Sequence, residues 1–139
     1  MSWSVGAAGV LTLPSGRLVR GRRLADDLGP ADLTVVLGRG TAPEGAYRRL
    51  RWPDFWVPLD RRVALEALHE AYERAGAGER VEVACRGGVG RTGTALAALT
   101  VLDGSTPDAA VVWVRQRYHP RSVETPWQRR WLQHLTSGS

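Results

Sequence analysis

The feature that most constrains the fold of this chain is a glycine-rich loop between two segments of different hydrophobic periodicity. The segment Val81–Cys85 reads VEVAC, which alternates and then becomes apolar, as a central β-strand does. The loop Arg86–Gly90 follows, and a helix is predicted from about Arg91 to Leu102. The predicted inward face of that helix carries Ala95, Leu96, Leu99 and Leu102. A strand, a tight loop and a helix in direct succession are typical of α/β folds.

The first part of the chain contains further short strand signals. Short strand segments at Val10–Leu13 and Arg17–Val19 flank a Pro-Ser-Gly turn and predict a hairpin. The β-branched run Leu33–Leu37 predicts a buried strand, and Tyr47–Trp52 is a possible further strand. An irregular segment bounded by two prolines comes next.

Three more helices are marked by capping residues. Asp60 precedes a helical apolar pattern over Arg61–Ala75, and Thr106 and Thr125 each stand before a proline at a helix start. Strands come first, then the strand–loop–helix unit, then a helical last third. This order predicts an α/β fold with a small, mostly parallel central sheet that is flanked by helices.

Length and composition narrow the class of protein further. The 139 residues fit a single domain over residues 1–136, with a flexible tail at residues 137–139. One cysteine excludes an intrachain disulfide and a CxxC metal site, and the three histidines have no ligand spacing, so no metal or cofactor is expected. The sequence has no apolar run long enough to span a membrane and no secretory leader pattern, which predicts a cytoplasmic protein.

The charge of the chain has two interpretations. All 19 basic residues are arginines, the net charge is +5 and the sequence pI is about 10.6. Together with abundant alanine and glycine, this composition indicates a GC-rich genome, and it also suits an anionic substrate or partner. The arginines are scattered and form no long basic run, so nucleic acid is not an expected partner.

The glycine-rich loop has the chemistry of an anion-binding site. Its glycines allow successive backbone N–H groups to point at one centre, and the start of the predicted helix points there too. The sulfur of Cys85 is expected at the floor of this cradle, where the amides, the helix dipole and Arg91 stabilise a thiolate. The guanidinium of Arg91 can bind two phosphate oxygens, and a thiolate beneath a bound phosphate is aligned for attack. The alternative is a buried structural cysteine beside a glycine turn.

The sequence CRGGVGRTGT, which starts at Cys85, resembles the phosphate-binding loop C-x-x-G-x-G-R-[ST]-G of the cysteine-dependent protein tyrosine phosphatase superfamily. The chain resembles a compact, dual-specificity-like bacterial member of that superfamily. The resemblance implies a phosphocysteine intermediate on Cys85 and a hydrogen bond from Thr92 to the thiolate. The family usually has a histidine before the cysteine, where this chain has Ala84. The residues implied to bind phosphate are Arg86, Gly87, Gly88, Val89, Gly90 and Arg91.

A general acid is expected on a different segment, because the leaving oxygen of a phosphate ester needs a proton. Asp54 lies between Pro53 and Pro58 and has aromatic neighbours that can exclude water. This segment resembles the mobile W-P-D loop of the family, which implies that Asp54 is the general acid and then the base for the hydrolytic water. In the alternative interpretation, Trp52 and Trp56 are ordinary core aromatics and Asp54 is a turn residue.

The segment around Thr125 resembles the part of the family that supplies a glutamine to hold the attacking water. Two registers are open. One places Glu124 at the water-positioning place, and the other places Gln128 there. A third interpretation is structural, with an exposed glutamate near the helix cap and a solvated glutamine on the helix.

The sequence as a whole predicts a metal-free phosphomonoester hydrolase, either a protein tyrosine phosphatase or a dual-specificity phosphatase. The expected substrate is a phosphorylated protein or a small anionic phosphoester. The compact chain leaves no room for the long recognition region of the tyrosine-specific branch. The alternatives are a phosphatase of phosphoinositides or other small phosphoesters, and a catalytically weak phosphate-binding module.

Overall fold

A computed structural model of the chain describes residues 2–137, without the side chains of residues 136 and 137. In this part of the chain, a five-stranded sheet has the strand order β1-β2-β5-β3-β4. Strand β1 is antiparallel to β2, and the other neighbouring strands are parallel. The elements are β1 (Val10–Thr12), β2 (Leu18–Arg23), β3 (Leu33–Leu37), β4 (Tyr47–Leu50), α1 (Arg61–Gly76), β5 (Val81–Cys85), α2 (Gly90–Leu102), α3 (Pro107–Arg117) and α4 (Pro126–Ser137).

The predicted α/β fold with a mostly parallel sheet is confirmed by this topology. The predicted helix caps at Asp60 and Thr106 are confirmed as well, because each side chain accepts a backbone N–H bond in the first turn. Helix α4 ends at Ser137, and the other two residues of the predicted tail, 138 and 139, lie outside the described residues. No helix within residues 2–137 is long and apolar enough to cross a membrane.

Helix α2 lies at the centre of the helical layer. It contacts β2 and β5 on one side and α1, α3 and α4 on the others. Every residue from Gly90 to Val101 is therefore buried, whereas the sequence predicted only one inward face for this helix. Small residues permit this packing, because alanines, glycines and threonines make up most of the helix and let its neighbours approach closely.

The opposite face of the sheet carries a buried ion cluster. Glu82 of β5 accepts hydrogen bonds from Arg20 Nε at 2.8 Å, from Arg22 Nε at 2.9 Å and from the Thr34 hydroxyl at 2.7 Å. Burial alone would raise the pKa of Glu82, but the hydrogen bonds from Arg22, Thr34 and Arg20 together lower it below its usual range. The indole of Trp3 covers the guanidinium of Arg20 at 3.9 Å.

This cluster explains why β2 is longer than predicted. The predicted hairpin is confirmed, because β1 and β2 pair as antiparallel strands. The sequence indicated a second strand over Arg17–Val19, however, and the observed strand is Leu18–Arg23. Arg20 and Arg22, two arginines within three residues, argue against a buried strand, because a buried charge is costly unless it is paired. Glu82 supplies the paired charge from a neighbouring strand that lies far away in the sequence.

The parallel register brings two chain segments to the same edge of the sheet. Leu37 at the end of β3 pairs with Cys85 at the end of β5 and with Leu50 at the end of β4. The carboxyl ends of parallel strands meet at one edge, where α/β folds usually bind ligands. The segment after Leu50 and the glycine-rich loop after Cys85 consequently emerge side by side.

Candidate active site

The glycine-rich loop wraps around the sulfur of Cys85. This side chain is buried at the end of β5, and its Sγ accepts hydrogen bonds from the Gly88 amide at 3.1 Å and from the Thr92 hydroxyl at 2.9 Å. Gly88 has a φ of 68°, and a Cβ there would lie 2.9 Å or less from the backbone and side chain of Arg23. A glycine is required at this position for both reasons.

Helix α2 begins directly above this sulfur. Its N-terminal residue is Gly90, and the residue before it, Val89, makes no side-chain capping bond. The first amides of a helix that has no such cap remain available to an anion, which the helix dipole also attracts.

The guanidinium of Arg91 is buried at the same edge and is fixed by backbone carbonyls. Its Nη1 donates to the carbonyl oxygens of Leu37 at 3.2 Å and Trp52 at 3.0 Å. Its Nε is buried without a hydrogen bond and lies 3.6 Å from Oδ1 of Asp54. Gly38 makes room for this side chain, since a Cβ at Gly38 would collide with Arg91 Nη1. An unused donor on a fixed guanidinium suits an incoming phosphate oxygen.

The segment that carries Asp54 is held from two sides. Trp52 is buried against Trp131 of α4, with ring centroids 5.6 Å apart, and its indole donates to the carbonyl oxygen of Trp56 at 2.7 Å. From the start of α4, the indole N–H of Trp127 donates to the carbonyl oxygen of Phe55. Gln128 Nε2 donates to the carbonyl oxygen of Trp56 at 3.0 Å. Trp52, through its ring, and Trp56, through its carbonyl oxygen, therefore both help to anchor the segment that carries Asp54.

A small pocket of about 180 Å³ brings several of the predicted residues together. Of the predicted site residues, it is lined by Asp54, Cys85, Gly87, Val89, Gly90, Arg91 and Glu124. The other four predicted site residues do not line this pocket. Gly88 and Thr92 support the sulfur, Gln128 is fully buried, and Arg86 lines a larger neighbouring cavity.

Glu124 and Gln128 have different surroundings. The carboxylate of Glu124 lines the pocket, lies 3.5 Å from Arg121, and occupies the space that a Cβ at Gly90 would need. Gln128 instead accepts hydrogen bonds from the amides of Glu124 at 2.8 Å and Thr125 at 3.2 Å. Both polar groups of its side chain are therefore engaged within the fold.

Both pocket carboxylates stand beside a strained backbone residue. Within the described residues, Phe55 and Val123 are the two non-glycine residues with positive φ, at 59° and 61°. Phe55 follows Asp54, and Val123 precedes Glu124. Left-handed conformations cost roughly 1–3 kcal/mol for such residues and persist where the surroundings enforce them. At Val123 the enforcement comes from Arg115, which donates to the carbonyl oxygens of Ser122 and Val123 at 2.9 Å each.

Sequence reasoning missed Tyr118, which follows the end of α3. Its hydroxyl donates a hydrogen bond to the carbonyl oxygen of Gly88 in the cysteine loop. Burial raises the pKa of Tyr118 above its usual range, and a negative charge on Cys85 adds to the effect, so the phenol stays a donor. The only signal in the sequence was Ala84, which stands where the resemblance implies a histidine and does not show which residue contacts the loop instead. Gly21 provides the space, because a Cβ there would lie 2.8 Å from the tyrosine ring.

These features define a class. A cysteine at the end of a central parallel strand, a glycine-rich loop around its sulfur and a buried arginine at the next helix start are the elements of a cysteine-dependent phosphatase. Residues 48–139 match the family model described as "PTP-SAK: Swiss Army Knife protein, DSP-PTPase phosphatase domain". The match spans more than half of the chain, so this protein belongs to that family of cysteine-based phosphatases.

Solved structures agree with this assignment. The chain is similar to Tk-PTP in its active form, with 25% identity, a TM-score of 0.74, and coverage of 96% of this chain and 99% of that one. It also shares its fold with the kinase associated phosphatase (KAP), in a structure whose catalytic-site cysteine is replaced by serine, at 16% identity, a TM-score of 0.76 and coverage of 94% and 93%. A third similar fold is PTPMT1 in complex with PI(5)P, at 21% identity, a TM-score of 0.60 and coverage of 87% and 90%.

Proposed function

We propose that this phosphatase hydrolyses phosphomonoesters of the phosphotyrosine or dual-specificity type through a phosphocysteine intermediate on Cys85. One observation carries the proposal: Cys85 and Asp54 line the same small pocket, with the buried Nε of Arg91 between the two segments. The pocket thus combines a nucleophile, a proton donor and an unused phosphate-binding donor, as double displacement at phosphorus requires.

In the first step, the thiolate of Cys85 attacks phosphorus and the bond from phosphorus to the leaving oxygen breaks. Asp54 donates its proton to that oxygen. The free amides of the loop and the guanidinium of Arg91 bind the three remaining phosphate oxygens, whose charge spreads in the transition state. We assign the phosphate-binding role to the backbone amides of residues 86–90 apart from Gly88, whose amide donates to the sulfur of Cys85. Arg86 contributes its amide rather than its side chain.

In the second step, water attacks phosphorus and gives a proton to Asp54, and the bond from phosphorus to sulfur breaks. Thr92 stabilises the departing thiolate through its hydroxyl. Glu124 is our candidate for positioning the water, because its carboxylate lines the pocket. Gln128 acts in this proposal through the segment that carries Asp54, because its side chain donates to the carbonyl oxygen of Trp56.

The decisive experiment compares the wild type with Cys85→Ser and Asp54→Ala on para-nitrophenyl phosphate and phenyl phosphate. We expect vanadate-sensitive turnover by the wild type and none by Cys85→Ser. Asp54→Ala should lose more on phenyl phosphate, because the poorer leaving group depends more on a proton. Turnover by Cys85→Ser at the wild-type rate would refute the mechanism. Phosphate binding without turnover in the wild type would favour the alternative of a phosphate-binding module.

A thiolate nucleophile without a second cysteine needs a reducing compartment, so we expect the protein to act in the cytoplasm.

A second candidate function is hydrolysis of phosphoinositides or other small phosphoesters. It is favoured by the larger cavity beside the pocket, which is lined by five arginines, and is consistent with the ligand in the PTPMT1 structure.

A further inference from the structure

A second cavity of about 760 Å³ adjoins the small pocket. The two share Asp54, Gly87 and Arg91, so the larger cavity opens directly onto the proposed phosphate site. Gly87 lies on the shared boundary, and a Cβ there would meet nothing within 4 Å. A molecule with its phosphate above Cys85 can therefore extend past Gly87 into the larger cavity.

The charge of this cavity is strongly one-sided. Five arginines line it, and the one carboxylate among its lining residues is Asp54. Beyond Arg91, these arginines come from three parts of the chain: the segment after β3, strand β4 with the residue after it, and the loop after β5. The four are Arg39, Arg49, Arg51 and Arg86.

Composition alone does not explain this cluster. Eleven of the 19 arginines form an ion pair with a carboxylate among the described residues. Four of the eight that do not are the four around this cavity. An arginine-rich genome raises the number of arginines everywhere, but it does not collect half of the unpaired ones at one cavity.

Of the four arginines that line this cavity without a carboxylate partner among the described residues, only Arg49 is held by hydrogen bonds. It donates to the carbonyl oxygens of Gly38 at 2.7 Å and Gly40 at 2.9 Å, which fixes its guanidinium at the cavity wall. Within residues 2–137, the side chains of Arg39, Arg51 and Arg86 make no hydrogen bond or ion pair and are exposed. Neighbouring like charges repel, and an anion bound between them relieves that repulsion.

We propose that this cavity is a subsite for a second phosphate on a small substrate whose scissile phosphate lies above Cys85. This inference rests on the proposed function and deepens it. The cavity volume falls in the range of small-molecule sites, about 300–1,000 Å³. A concave cavity suits a compact bisphosphate, such as a phosphorylated polyol, better than an extended peptide. Guanidinium groups bind phosphate through two parallel hydrogen bonds, which makes Arg39 and Arg51 the specificity-determining residues.

The test uses two inositol phosphates that differ by one phosphate group, inositol 4-phosphate and inositol 1,4-bisphosphate, with para-nitrophenyl phosphate as the reference. We expect wild-type kcat/KM to be about tenfold higher on the bisphosphate, mainly through KM. The double variant Arg39→Gln/Arg51→Gln should lose this advantage and keep its activity on para-nitrophenyl phosphate within about twofold. The matched control is Arg62→Gln/Arg130→Gln, which removes two exposed charges away from both cavities and should leave the preference intact.

Two more substrates identify the source of the second phosphate. Short-chain phosphatidylinositol 4-phosphate, dispersed with phosphatidylcholine, tests a lipid headgroup as the source. If the wild type has a higher kcat/KM on this lipid than the Arg39→Gln/Arg51→Gln variant has, the subsite is supported with a lipid as source. A peptide with phosphotyrosine and phosphoserine tests a protein source. If only the peptide shows the arginine-dependent preference, the small-molecule subsite is wrong.

Failure of this inference is separable from failure of the proposed function. Equal kcat/KM on the two inositol phosphates, or an equal loss on all substrates in the double variant, would overturn the subsite. In that case, Cys85-dependent turnover of para-nitrophenyl phosphate by the wild type would still uphold the phosphatase mechanism.

Discussion

The hydroxyl of Thr92 lies 2.9 Å from the sulfur of Cys85, inside the first turn of α2 and without contact to solvent. A hydroxyl in this position donates to a thiolate but has nothing to donate to once the sulfur carries a phosphoryl group. In the proposed mechanism, this hydrogen bond is strongest before attack and after hydrolysis, when the sulfur is the free thiolate. We therefore expect Thr92 to matter most for the step that expels the sulfur.

We predict that Thr92→Val slows breakdown of the phosphocysteine more than its formation. A hydrogen bond to a charged group contributes about 1.5–3 kcal/mol, so hydrolysis of the intermediate should slow by roughly 10- to 100-fold. Stopped-flow assays with para-nitrophenyl phosphate should then show a burst of one product per enzyme before slow turnover. Thr92→Ser should restore the rate, and Thr100→Val, which removes a buried hydroxyl bonded to Leu96 of the same helix, should show no burst. A variant without a burst and with normal turnover would contradict the role.

The second prediction concerns Tyr118 as a positioning residue for the cysteine loop. Tyr118→Phe keeps the ring in the space beside Gly21 and removes the donor to Gly88. We expect kcat/KM to fall by about five- to tenfold, because one neutral hydrogen bond is worth ~1 kcal/mol. Tyr47→Phe is the control, since Tyr47 is 42% exposed on β4 and lines neither cavity.

An alkaline titration separates positioning from general stability. The pKa of Tyr118 is raised by burial, so its ionisation should be absent from the ordinary phenol range near pH 10 and appear only at higher pH. Ultraviolet difference spectra should therefore lose their highest-pH step in Tyr118→Phe and not in Tyr47→Phe. An unchanged titration together with unchanged activity would remove Tyr118 from the site.

The parts of this molecule that follow from local sequence were predictable. The alternation in Val81–Cys85, the glycines after it and the caps at Asp60 and Thr106 specify their own strand, loop and helices. The extent of β2 was not predictable, because Arg20 and Arg22 are acceptable in a buried strand only beside Glu82, and that pairing depends on tertiary structure.

The candidate site likewise has a part that local sequence predicts and a part that depends on tertiary structure. The loop motif was sufficient to predict that glycine-rich backbone and Thr92 surround the sulfur of Cys85. The sequence did not show which of Glu124 and Gln128 lines the pocket, because the position of the glutamate follows a left-handed residue at Val123. A β-branched residue gives no sequence signal for that conformation. Tyr118 was missed for a related reason, since its contact with Gly88 is set by the packing of α3.

The third prediction addresses how α4 holds the segment that carries Asp54. Trp127→Phe removes the donor to the Phe55 carbonyl and retains an aromatic ring beside Trp56, whose ring centroid lies 5.5 Å away. We expect about tenfold lower kcat on phenyl phosphate and a much smaller loss on para-nitrophenyl phosphate, because a misplaced Asp54 matters most for the poorer leaving group. Trp113→Phe on α3 is the control for loss of an indole. Equal losses on both substrates would show that the variant acts through the fold and not through the acid.

The last prediction concerns acid stability and the cluster around Glu82. Hydrogen bonds from Arg22, Thr34 and Arg20 lower the pKa of Glu82 despite its burial, so its carboxylate stabilises the native state above its unfolded pKa of about 4.3. That stabilisation is lost as the pH falls through the lower, native pKa.

Glu82→Gln should therefore lower the free energy of unfolding at pH 7 by roughly 3 kcal/mol or more, because it leaves Arg20 and Arg22 buried without a counter-charge. The difference from the wild type should shrink as the pH falls from about 4.3 through the lower native pKa, because the carboxylate is protonated first in the unfolded state and only then in the native state. Urea unfolding at a series of pH values measures both quantities. Glu66→Gln, which removes an exposed carboxylate paired with Arg62, should change neither. A stability difference for Glu82→Gln that stays constant down to pH 3 would mean that the ion cluster is not the source of the acid sensitivity.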